Sequence, residues 1–298
     1  MDIKERLQAL RAEMDCCKLA AYIVPTDDFH SSEYVGDFFK AREYLSGFTG
    51  SAGTLLVEHD RALLWTDGRY FLQAEEQLKG SGITLMKSGQ PGVPTLSDYL
   101  GEHLSGGDRV GFDGRCVTGA FVEKLKEKTA DKQITFYGEE DLAGLVWKER
   151  PTLSAQPVWE LSTDYAGLSR EEKLVRVRET MEKKRADAFL ATDLSEIAWL
   201  LNLRGNDVKN TPVFLAYFLL TKSGAALCAQ ESAFSEEIRE KLTCAGVSLY
   251  PYENIEAQVA SLATGSRLLA DERKVNYRLL QAIPAGVERL NGESPIAV

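Results

Sequence analysis

Residues that could bind a cation or transfer protons lie close together near the start of the chain. Three carboxylates and one imidazole fall between positions 27 and 33, at Asp27, Asp28, His30 and Glu33. These are ligand types that divalent metals take in proteins. However, an apolar run ends at Pro25 just before them, and Asp and Ser side chains commonly bond the backbone of such a turn without any metal. The residues therefore favour a structural turn over a metal site.

A second candidate is the arginine of the segment Thr66-Asp67-Gly68-Arg69. An apolar strand is predicted to end at Thr66, which places Arg69 in the first turn of the next helix, where the helix dipole disfavours a cation. An ion pair with Asp67 or with a glutamate of the same domain would explain it. Alternatively, the planar five-donor guanidinium could extend from the rigid strand end toward a peptide carboxylate or carbonyl. The residues alone favour the ion pair.

A glycine-rich segment lies before the predicted strand at 54–57. Its glycines are spaced by three, at Gly47, Gly50 and Gly53. Such loops can bind anions through backbone N–H groups, but phosphate loops usually follow a strand and open a helix, and this order is reversed. We favour a tight helix-to-strand connection in which glycine allows a positive φ or close packing.

Several catalytic classes are excluded by the motifs. Walker A, GxGxxG and HExxH are absent, and Ser51 lacks the first glycine of the GxSxG nucleophile elbow. Three histidines are too few for a His-rich metal site. The five cysteines include the adjacent Cys16 and Cys17, which suits neither a disulfide framework nor a CxxC metal site. We expect a reducing, cytoplasmic environment.

The elements that must position these residues repeat once along the chain. Apolar residues at helical spacing from Ile3 to Met14 predict a helix, and residues 19–24 predict a strand. Ser169, with a glutamate three residues later, is a capping box that opens a second helix to about Arg185, followed by a strand at 188–192. Aligning the two strands gives an offset near 167 residues, which is typical of a duplicated domain.

The predicted fold class is α/β, with two tandem domains that are each a mixed β-sheet flanked by helices. Strands joined both by hairpins and by helices imply such a sheet. The predicted domains are 1–150 and 151–298, with a linker at about 151–167. In the second domain, residues 196–202 predict a helix ended by Gly205, with Arg204 and Asp207 paired across that glycine, and the apolar run 213–220 predicts a buried strand.

The amino-acid composition limits the kinds of partner that the chain is expected to bind. The chain has 298 residues, 44% of them hydrophobic, and a formal net charge of −10. A broad electrostatic contact with nucleic acid or an anionic membrane is therefore not expected. The first residues show no apolar signal segment, and no apolar stretch reaches the ~18 residues that a membrane span needs.

Four motifs in order resemble the N-terminal half of the long, three-domain Xaa-Pro aminopeptidases (aminopeptidase P) of the creatinase/prolidase superfamily, peptidase family M24B. They are PTDDFHSSEY at 25–34, SGFTGSAGT at 46–54, WTDGRYFLQA at 65–74 and EIAWLLNLRGNDV at 196–208. The resemblance covers nearly the whole chain. It implies two creatinase-type N-terminal domains, which agrees with the repeat.

In that family the chemistry belongs to a C-terminal pita-bread domain with two divalent cations, Mn²⁺-like, that activate water for hydrolysis of the Xaa-Pro bond. None of the family's metal ligands or catalytic histidines is found in this sequence, so we expect a fragment with no bound cofactor and no hydrolytic activity of its own. The resemblance implies that Arg69 contacts the peptide substrate, in its own or a neighbouring subunit. It gives Asp28, His30 and Asp67 at most supporting roles.

The resulting hypothesis is the substrate-gating and assembly half of a cytoplasmic metallopeptidase that releases the first residue of peptides with proline second. As full-length proteins such enzymes are expected to be homo-oligomers. One alternative is a non-catalytic protein-interaction module. Another is prolidase or creatinase specificity in the parent protein, although those relatives usually have one N-terminal domain.

Overall fold

The structure is a computed structural model that describes residues 1–296 of the chain. Its contacts divide it into two compact units. The first unit consists of Met1–Phe29 and Asp37–Thr152, and the second consists of His30–Gly36 and the chain from Leu153 onwards. The short segment His30–Gly36 thus belongs to the second unit, although first-unit residues flank it on both sides in sequence.

Helices and strands alternate along the first unit. The helices are α1 (Ile3–Cys16), α2 (Ala41–Ser46), α3 (Phe71–Gln77), α4 (Leu96–His103), α5 (Gly119–Lys128) and α6 (Leu142–Val146). The strands are β1 (Ala21–Pro25), β2 (Thr54–Glu58), β3 (Ala62–Thr66), β4 (Ile83–Lys87), β5 (Arg109–Phe112) and β6 (Thr135–Tyr137).

The six strands form one mixed sheet in the order β4-β3-β2-β1-β5-β6. The pairs β1/β2 and β2/β3 are antiparallel, the second of them a hairpin, whereas β3/β4, β1/β5 and β5/β6 are parallel. Crossover helices explain the parallel pairs, because a parallel neighbour requires a long connection. The mixed sheet predicted from the sequence is therefore confirmed.

Helix α1 buries one face in the core of the first unit. Leu7, Leu10 and Met14 recur at helical spacing and are buried, together with Tyr22 of β1 and Leu55 of β2. Strand β1 is buried along nearly its whole length, as expected for a central strand with both faces covered. Burial of this apolar surface is the main stabilising term for the unit.

The second unit repeats the arrangement. Its helices are α7 (Thr163–Ala166), α8 (Arg170–Lys183), α9 (Leu194–Leu201), α10 (Glu236–Cys244), α11 (Ile255–Ala260) and α12 (Tyr277–Gln281). Its strands are β7 (Trp159–Glu160), β8 (Ala188–Ala191), β9 (Leu203–Arg204), β10 (Ala216–Thr221), β11 (Ala225–Ala229), β12 (Val247–Pro251), β13 (Arg267–Ala270) and β14 (Glu288–Asn291).

The main sheet of the second unit has the order β12-β11-β10-β8-β13-β14, and β7 pairs with β9 in a separate two-stranded sheet. Its antiparallel pairs are β8/β10 and β10/β11, and its parallel pairs are β11/β12, β8/β13 and β13/β14. Strand for strand, this is the topology of the first unit. The duplication predicted from the sequence offset agrees with it.

Side-chain contacts repeat as well. Capping boxes open α1, at Asp2 with Glu5, and α8, at Ser169 with Glu172. In α1 the guanidinium of Arg11 donates to two carbonyl oxygens at the β2–β3 turn, and in α8 Arg178 does the same at the β10–β11 turn. The acceptors are Glu58 (2.8 Å) and Arg61 (3.1 Å) in the first unit, and Thr221 (3.1 Å) and Gly224 (3.4 Å) in the second.

Two element ends differ from the sequence prediction. Helix α9 ends at Leu201, and Asn202 adopts the left-handed conformation with φ 52°, so that Asn202 rather than Gly205 terminates it. Strand β10 begins at Ala216 rather than at position 213. Residues 213–215 are buried but lie outside the sheet, because burial alone does not distinguish a strand from a buried connection.

The predicted pairing of Arg204 with Asp207 is wrong. Arg204 donates instead to the carbonyl oxygens of Ala198 and Leu203. The buried Asp207 accepts hydrogen bonds from the hydroxyl of Ser154 and from two backbone N–H groups, those of Gln156 and Leu215. Asp207 therefore organises the chain that enters the second unit.

No helix within residues 1–296 combines the length and the apolar content needed to cross a bilayer.

Candidate functional site

Arg69 and Asp67 form a two-pronged ion pair at the end of β3. The backbone N–H and the Nε of Arg69 both donate to Oδ1 of Asp67, at 3.0 and 2.9 Å, and Nη2 donates to Oδ2 at 2.8 Å. These hydrogen bonds from Arg69 hold the pKa of the Asp67 carboxyl below its ordinary value. The pairing favoured from the residues alone is thus present.

This two-pronged Asp67–Arg69 ion pair, called the fork below, fixes the direction of the Arg69 side chain without burying it. The Arg69 side chain keeps 68% of its surface exposed, whereas β3 behind it is buried along its length. Since an exposed ion pair adds little stability, the fork mainly orients the guanidinium, which is permanently charged. An arginine held in this way at a rigid strand end suits recognition of a carboxylate or a carbonyl group.

The ring of Tyr70 lies beside the guanidinium, with Cζ of Arg69 5.2 Å from the ring centroid. The Tyr70 hydroxyl lies 2.6 Å from the hydroxyl of Ser51 in the glycine-rich loop. The same ring contacts Phe48 edge to face, with the centroids 6.0 Å apart. The loop and the Asp67–Arg69 fork are therefore neighbours in the first unit.

The glycines of the loop have structural roles. Gly47 ends α2 in the left-handed conformation with φ 71°. A Cβ on Gly50 would lie 2.9 Å from Cδ1 of Tyr70, and a Cβ on Gly53 would lie 3.0 Å from the carbonyl oxygen of Trp65. This is the tight helix-to-strand connection that the sequence favoured, rather than a phosphate loop.

Arg42 was not identified from the sequence. It is 4% exposed, and its guanidinium donates to the carbonyl oxygens of Phe48 and Gly50 and to the hydroxyl of Thr26. Burial lowers its pKa to about 10, so it remains charged at neutral pH. The only local signal was the i, i+4 spacing to Ser46, whose hydroxyl donates to the Arg42 carbonyl.

The same Asp-x-Arg fork occurs twice more, after β5 and after β13. In each case the donor and acceptor atoms and their distances match those of the Asp67 fork. The pairs are Asp113 with Arg115, and Asp271 with Arg273. Arg115 also approaches Asp141 and is 31% exposed, whereas Arg273 is 64% exposed and thus resembles Arg69. The fork is a local backbone-linked motif and does not by itself mark a binding site.

Asp28 and His30 are both buried, at 1% and 2% exposure. Asp28 belongs to the first unit, where its N–H donates to Oδ1 of Asp27. His30 belongs to the second unit, where Nδ1 lies 3.0 Å from the carbonyl oxygen of Thr192 and Nε2 lies 2.6 Å from the hydroxyl of Tyr252. Buried, hydrogen-bonded positions of this kind suit structural support.

Within the part of the chain that the structure describes, no group of three or more His, Cys, Asp or Glu side chains is arranged to hold a metal ion. The sequence candidates Asp27, Asp28, His30 and Glu33 do not form such a group. The donor set of these residues therefore does not fit a resident metal.

Two tandem α/β units with mixed six-stranded sheets of identical order define the class of protein. Family models described as Creatinase/Prolidase N-terminal domain match residues 6–143 and 149–298. The chain belongs to the creatinase/prolidase N-terminal-domain family and carries two such domains.

Its relatives are aminopeptidases. It is 40% identical over 273 residues to Aminopeptidase P2 of Arabidopsis thaliana, which covers 90% of this chain and 38% of that protein. It is 38% identical over 278 residues to a probable Xaa-Pro aminopeptidase P of Neurospora crassa, covering 91% of this chain and 40% of the relative.

A solved structure has the same fold. An X-prolyl aminopeptidase from Caenorhabditis elegans, described as a cytosolic enzyme with a di-nuclear active site, superposes with a TM-score of 0.90 at 29% identity. The match covers 98% of this chain and 50% of that one. The chain thus spans half or less of the length of these three relatives.

Proposed function

We propose that this chain is the non-catalytic N-terminal portion of a metallo-aminopeptidase that releases the N-terminal residue from peptides with proline in second position. The support comes from relatives named as Xaa-Pro aminopeptidases, of which the chain spans 38 to 50%. In this proposal residues 1–150 and 151–298 are the two domains. They shape the entrance of the active site, contact the substrate and support homo-oligomeric assembly.

Arg69 is the residue that contacts the peptide. The role rests on the resemblance of residues 65–74 to the family's motif, and the exposed guanidinium that Asp67 orients at the end of a buried strand supports it. A peptide presents carbonyl oxygens along its backbone and a carboxylate at its end, and both accept charge-assisted hydrogen bonds from arginine. Because Asp67 fixes the guanidinium before the peptide arrives, less conformational entropy is lost on binding.

Asp67 is accordingly a supporting residue, and Asp28 and His30 support the local structure from buried positions.

Hydrolysis belongs to a further domain that holds two divalent cations, Mn²⁺ in our proposal. When bound, such a pair activates water and polarises the peptide carbonyl. The present chain then has no peptidase activity by itself, and we place the full protein in the cytoplasm by analogy with the C. elegans relative.

The test uses a full-length Xaa-Pro aminopeptidase carrying these two domains. Arg69→Ala should lower kcat/KM for an Xaa-Pro peptide by about tenfold or more while metal content stays unchanged. Arg273→Ala is the matched control, because it removes an equally exposed arginine from an identical fork in the second unit. Equal kcat/KM values for the Arg69→Ala enzyme and the wild type would refute the role.

A second experiment tests the assignment of hydrolysis to a further domain. The 298-residue chain is assayed with an Xaa-Pro peptide and added Mn²⁺, beside the full-length enzyme. We expect turnover only from the full-length enzyme. Turnover by the chain alone would overturn the assignment of hydrolysis to a further domain.

A further inference from the structure

The exposed fork of Arg69 is connected to a buried arginine through the glycine-rich loop. Arg42 lies in α2, and its guanidinium is buried. Its hydrogen bonds go to two loop carbonyls, those of Phe48 and Gly50, and to Thr26 beside β1. Burying a guanidinium is unfavourable unless its donors are satisfied, so these bonds hold the loop backbone in one position.

The loop in turn fixes Tyr70. Gly50 packs against the ring so closely that even a methyl group would lie 2.9 Å from Cδ1 of Tyr70. Ser51, the next residue, bonds the Tyr70 hydroxyl at 2.6 Å. Both the Cδ1 edge and the hydroxyl of the Tyr70 ring therefore lie against the segment that Arg42 bonds.

A further contact fastens the loop to α3. The N–H of Thr49 donates to Oε1 of Gln77 at 2.9 Å, and the side-chain amides of Gln73 and Gln77 donate to the Thr49 hydroxyl at 2.9 Å. Since Arg69 and Tyr70 immediately precede α3, these hydrogen bonds link the loop to the helix that follows the fork. Tyr70 also places its ring beside the guanidinium of Arg69.

We infer that Arg42 is a positioning residue for Arg69, acting through the loop Phe48–Ser51 and the ring of Tyr70. This inference rests on the proposed function, in which Arg69 contacts the peptide. Arg42 does not touch substrate. Its role is to hold the loop and the Tyr70 ring in place, so that the guanidinium of Arg69 stays in the orientation that binds the peptide.

The first test concerns the 298-residue chain and does not depend on peptide binding. NMR signals of the Tyr70 ring and of the Arg69 Nε–H group are assigned with Tyr70→Phe and Arg69→Lys. Arg42→Gln should shift or broaden both signals. The matched control is Arg11→Gln, which also removes a guanidinium bonded to two carbonyl oxygens but at the β2–β3 turn. Unchanged Tyr70 and Arg69 signals in a folded Arg42→Gln chain would overturn the inference.

The second test is a double-mutant cycle in a full-length Xaa-Pro aminopeptidase with these domains. Arg42→Gln should raise KM for an Xaa-Pro peptide by about fivefold or more with little change in kcat, and should have no further effect in an Arg69→Ala background. A loss of equal size in both backgrounds contradicts action through Arg69. If Arg69→Ala alone is silent, the proposed function fails, and the NMR result still decides whether Arg42 positions Arg69.

Because Arg42 is buried, one outcome of Arg42→Gln is a chain that does not fold. In that case Ser51→Ala removes the hydrogen bond between the loop and the Tyr70 hydroxyl and tests the same inference. It should perturb the Tyr70 and Arg69 signals and raise KM in the same direction by a smaller factor. Arg42→Lys, which keeps the charge but cannot bond both carbonyls and Thr26 in one plane, should restore folding without restoring KM. Full recovery of KM by lysine would mean that charge alone is needed and would refute the positioning role.

Discussion

Asp27 is a carboxyl group whose surroundings oppose its ionisation. It follows β1 in the first unit, where burial and the adjacent Asp28 raise its pKa to about 8. The folded chain therefore binds this proton more tightly than the unfolded chain, whose carboxyl has a pKa of 3.8. It follows that the contribution of Asp27 to stability is complete below pH 3.8 and is lost progressively until the pH passes about 8.

Asp27→Asn should remove that loss, because the amide stays neutral and its oxygen can still accept the N–H of Asp28. At pH 9 we expect the variant to exceed the wild type in free energy of unfolding by at least about 1 kcal/mol, with the difference vanishing near pH 4. Chemical denaturation at pH 4, 7 and 9 measures it. Asp60→Asn, at an exposed carboxylate paired with Arg61, is the control. Parallel pH profiles of Asp27→Asn and the wild type would contradict the assignment.

Gly50 and Gly68 provide a matched pair in the two motifs of the candidate site. Gly50→Ala forces a methyl group against the rings of Phe48 and Tyr70, whereas a methyl group on Gly68 would meet only Cε2 of Phe71, at 3.9 Å. We expect a loss of about 1–3 kcal/mol for Gly50→Ala and almost none for Gly68→Ala. Thermal unfolding of the two variants decides it, and equal stabilities would show that the loop adapts.

For individual residues, the sequence predicted part of the candidate site. The position of Arg69 at the start of a helix predicted an ion pair with Asp67 or with a glutamate of the same domain, and the structure shows Asp67 as a partner. Arg42 was beyond prediction because its acceptors are backbone carbonyls, which every residue carries and no pattern marks. Whether Arg69 also contacts a peptide stays a prediction.

Equivalent helices of the two units each carry a cation that bonds a backbone carbonyl of a neighbouring helix. At the same position in the equivalent helices α1 and α8, Arg6 donates to the carbonyl oxygen of Tyr44 at 2.6 Å, and Lys173 donates to that of Trp199 at 2.8 Å. Each cation also lies over the ring of the residue it bonds, at 4.2 and 4.0 Å from the centroid. Both cations thereby bond a carbonyl near the end of the helix that follows the next strand, α2 or α9.

The two cations differ in burial, which predicts different costs of removal. Lys173 is 1% exposed and also bonds Oδ1 of Asn202 at 2.6 Å, whereas Arg6 is only partly buried. Lys173→Met should lower the free energy of unfolding by about 1–3 kcal/mol, because it removes the ammonium donor of the buried Asn202 Oδ1 and one of the two donors to the Trp199 carbonyl oxygen. Arg6→Met should cost less. Guanidinium denaturation followed by circular dichroism gives both values, and a larger cost at Arg6 would contradict this ranking.

Element order was predictable because it depends on local periodicity, and the alignment of two strands at an offset near 167 residues revealed the repeat. The start of β10 was not, because residues 213–215 are as apolar as the strand they precede. Their backbone is instead bonded in part by Asp207, through the N–H of Leu215. A carboxylate that bonds backbone groups far away in sequence leaves no periodic signal.

Chain path is the feature of the whole molecule that the sequence did not predict. The segment His30–Gly36 leaves the first unit and contributes to the second. A backbone carbonyl can only accept, so Nδ1 of His30 donates to the carbonyl oxygen of Thr192, and in neutral His30 Nε2 accepts from the hydroxyl of Tyr252. The ring also lies 4.4 Å from that of Tyr217. The imidazole that suggested a metal ligand in the sequence is thus part of the polar core of the second unit.

His30→Ala in the full chain should therefore weaken the second unit and release the segment. We expect a loss of about 1–3 kcal/mol and faster proteolytic cleavage between residues 30 and 36, because two buried hydrogen bonds and two aromatic contacts disappear together. His103→Ala is the control, since its ring likewise stacks on a tyrosine, Tyr99, at 3.9 Å and bonds that residue's carbonyl, but within the first unit. Mass spectrometry of the cleavage sites makes the comparison: cleavage at 30–36 must accelerate in His30→Ala and stay at the wild-type rate in His103→Ala. If both variants are cut there at the wild-type rate, His30 does not hold the segment, and the other contacts of residues 30–36 are sufficient to keep it in place.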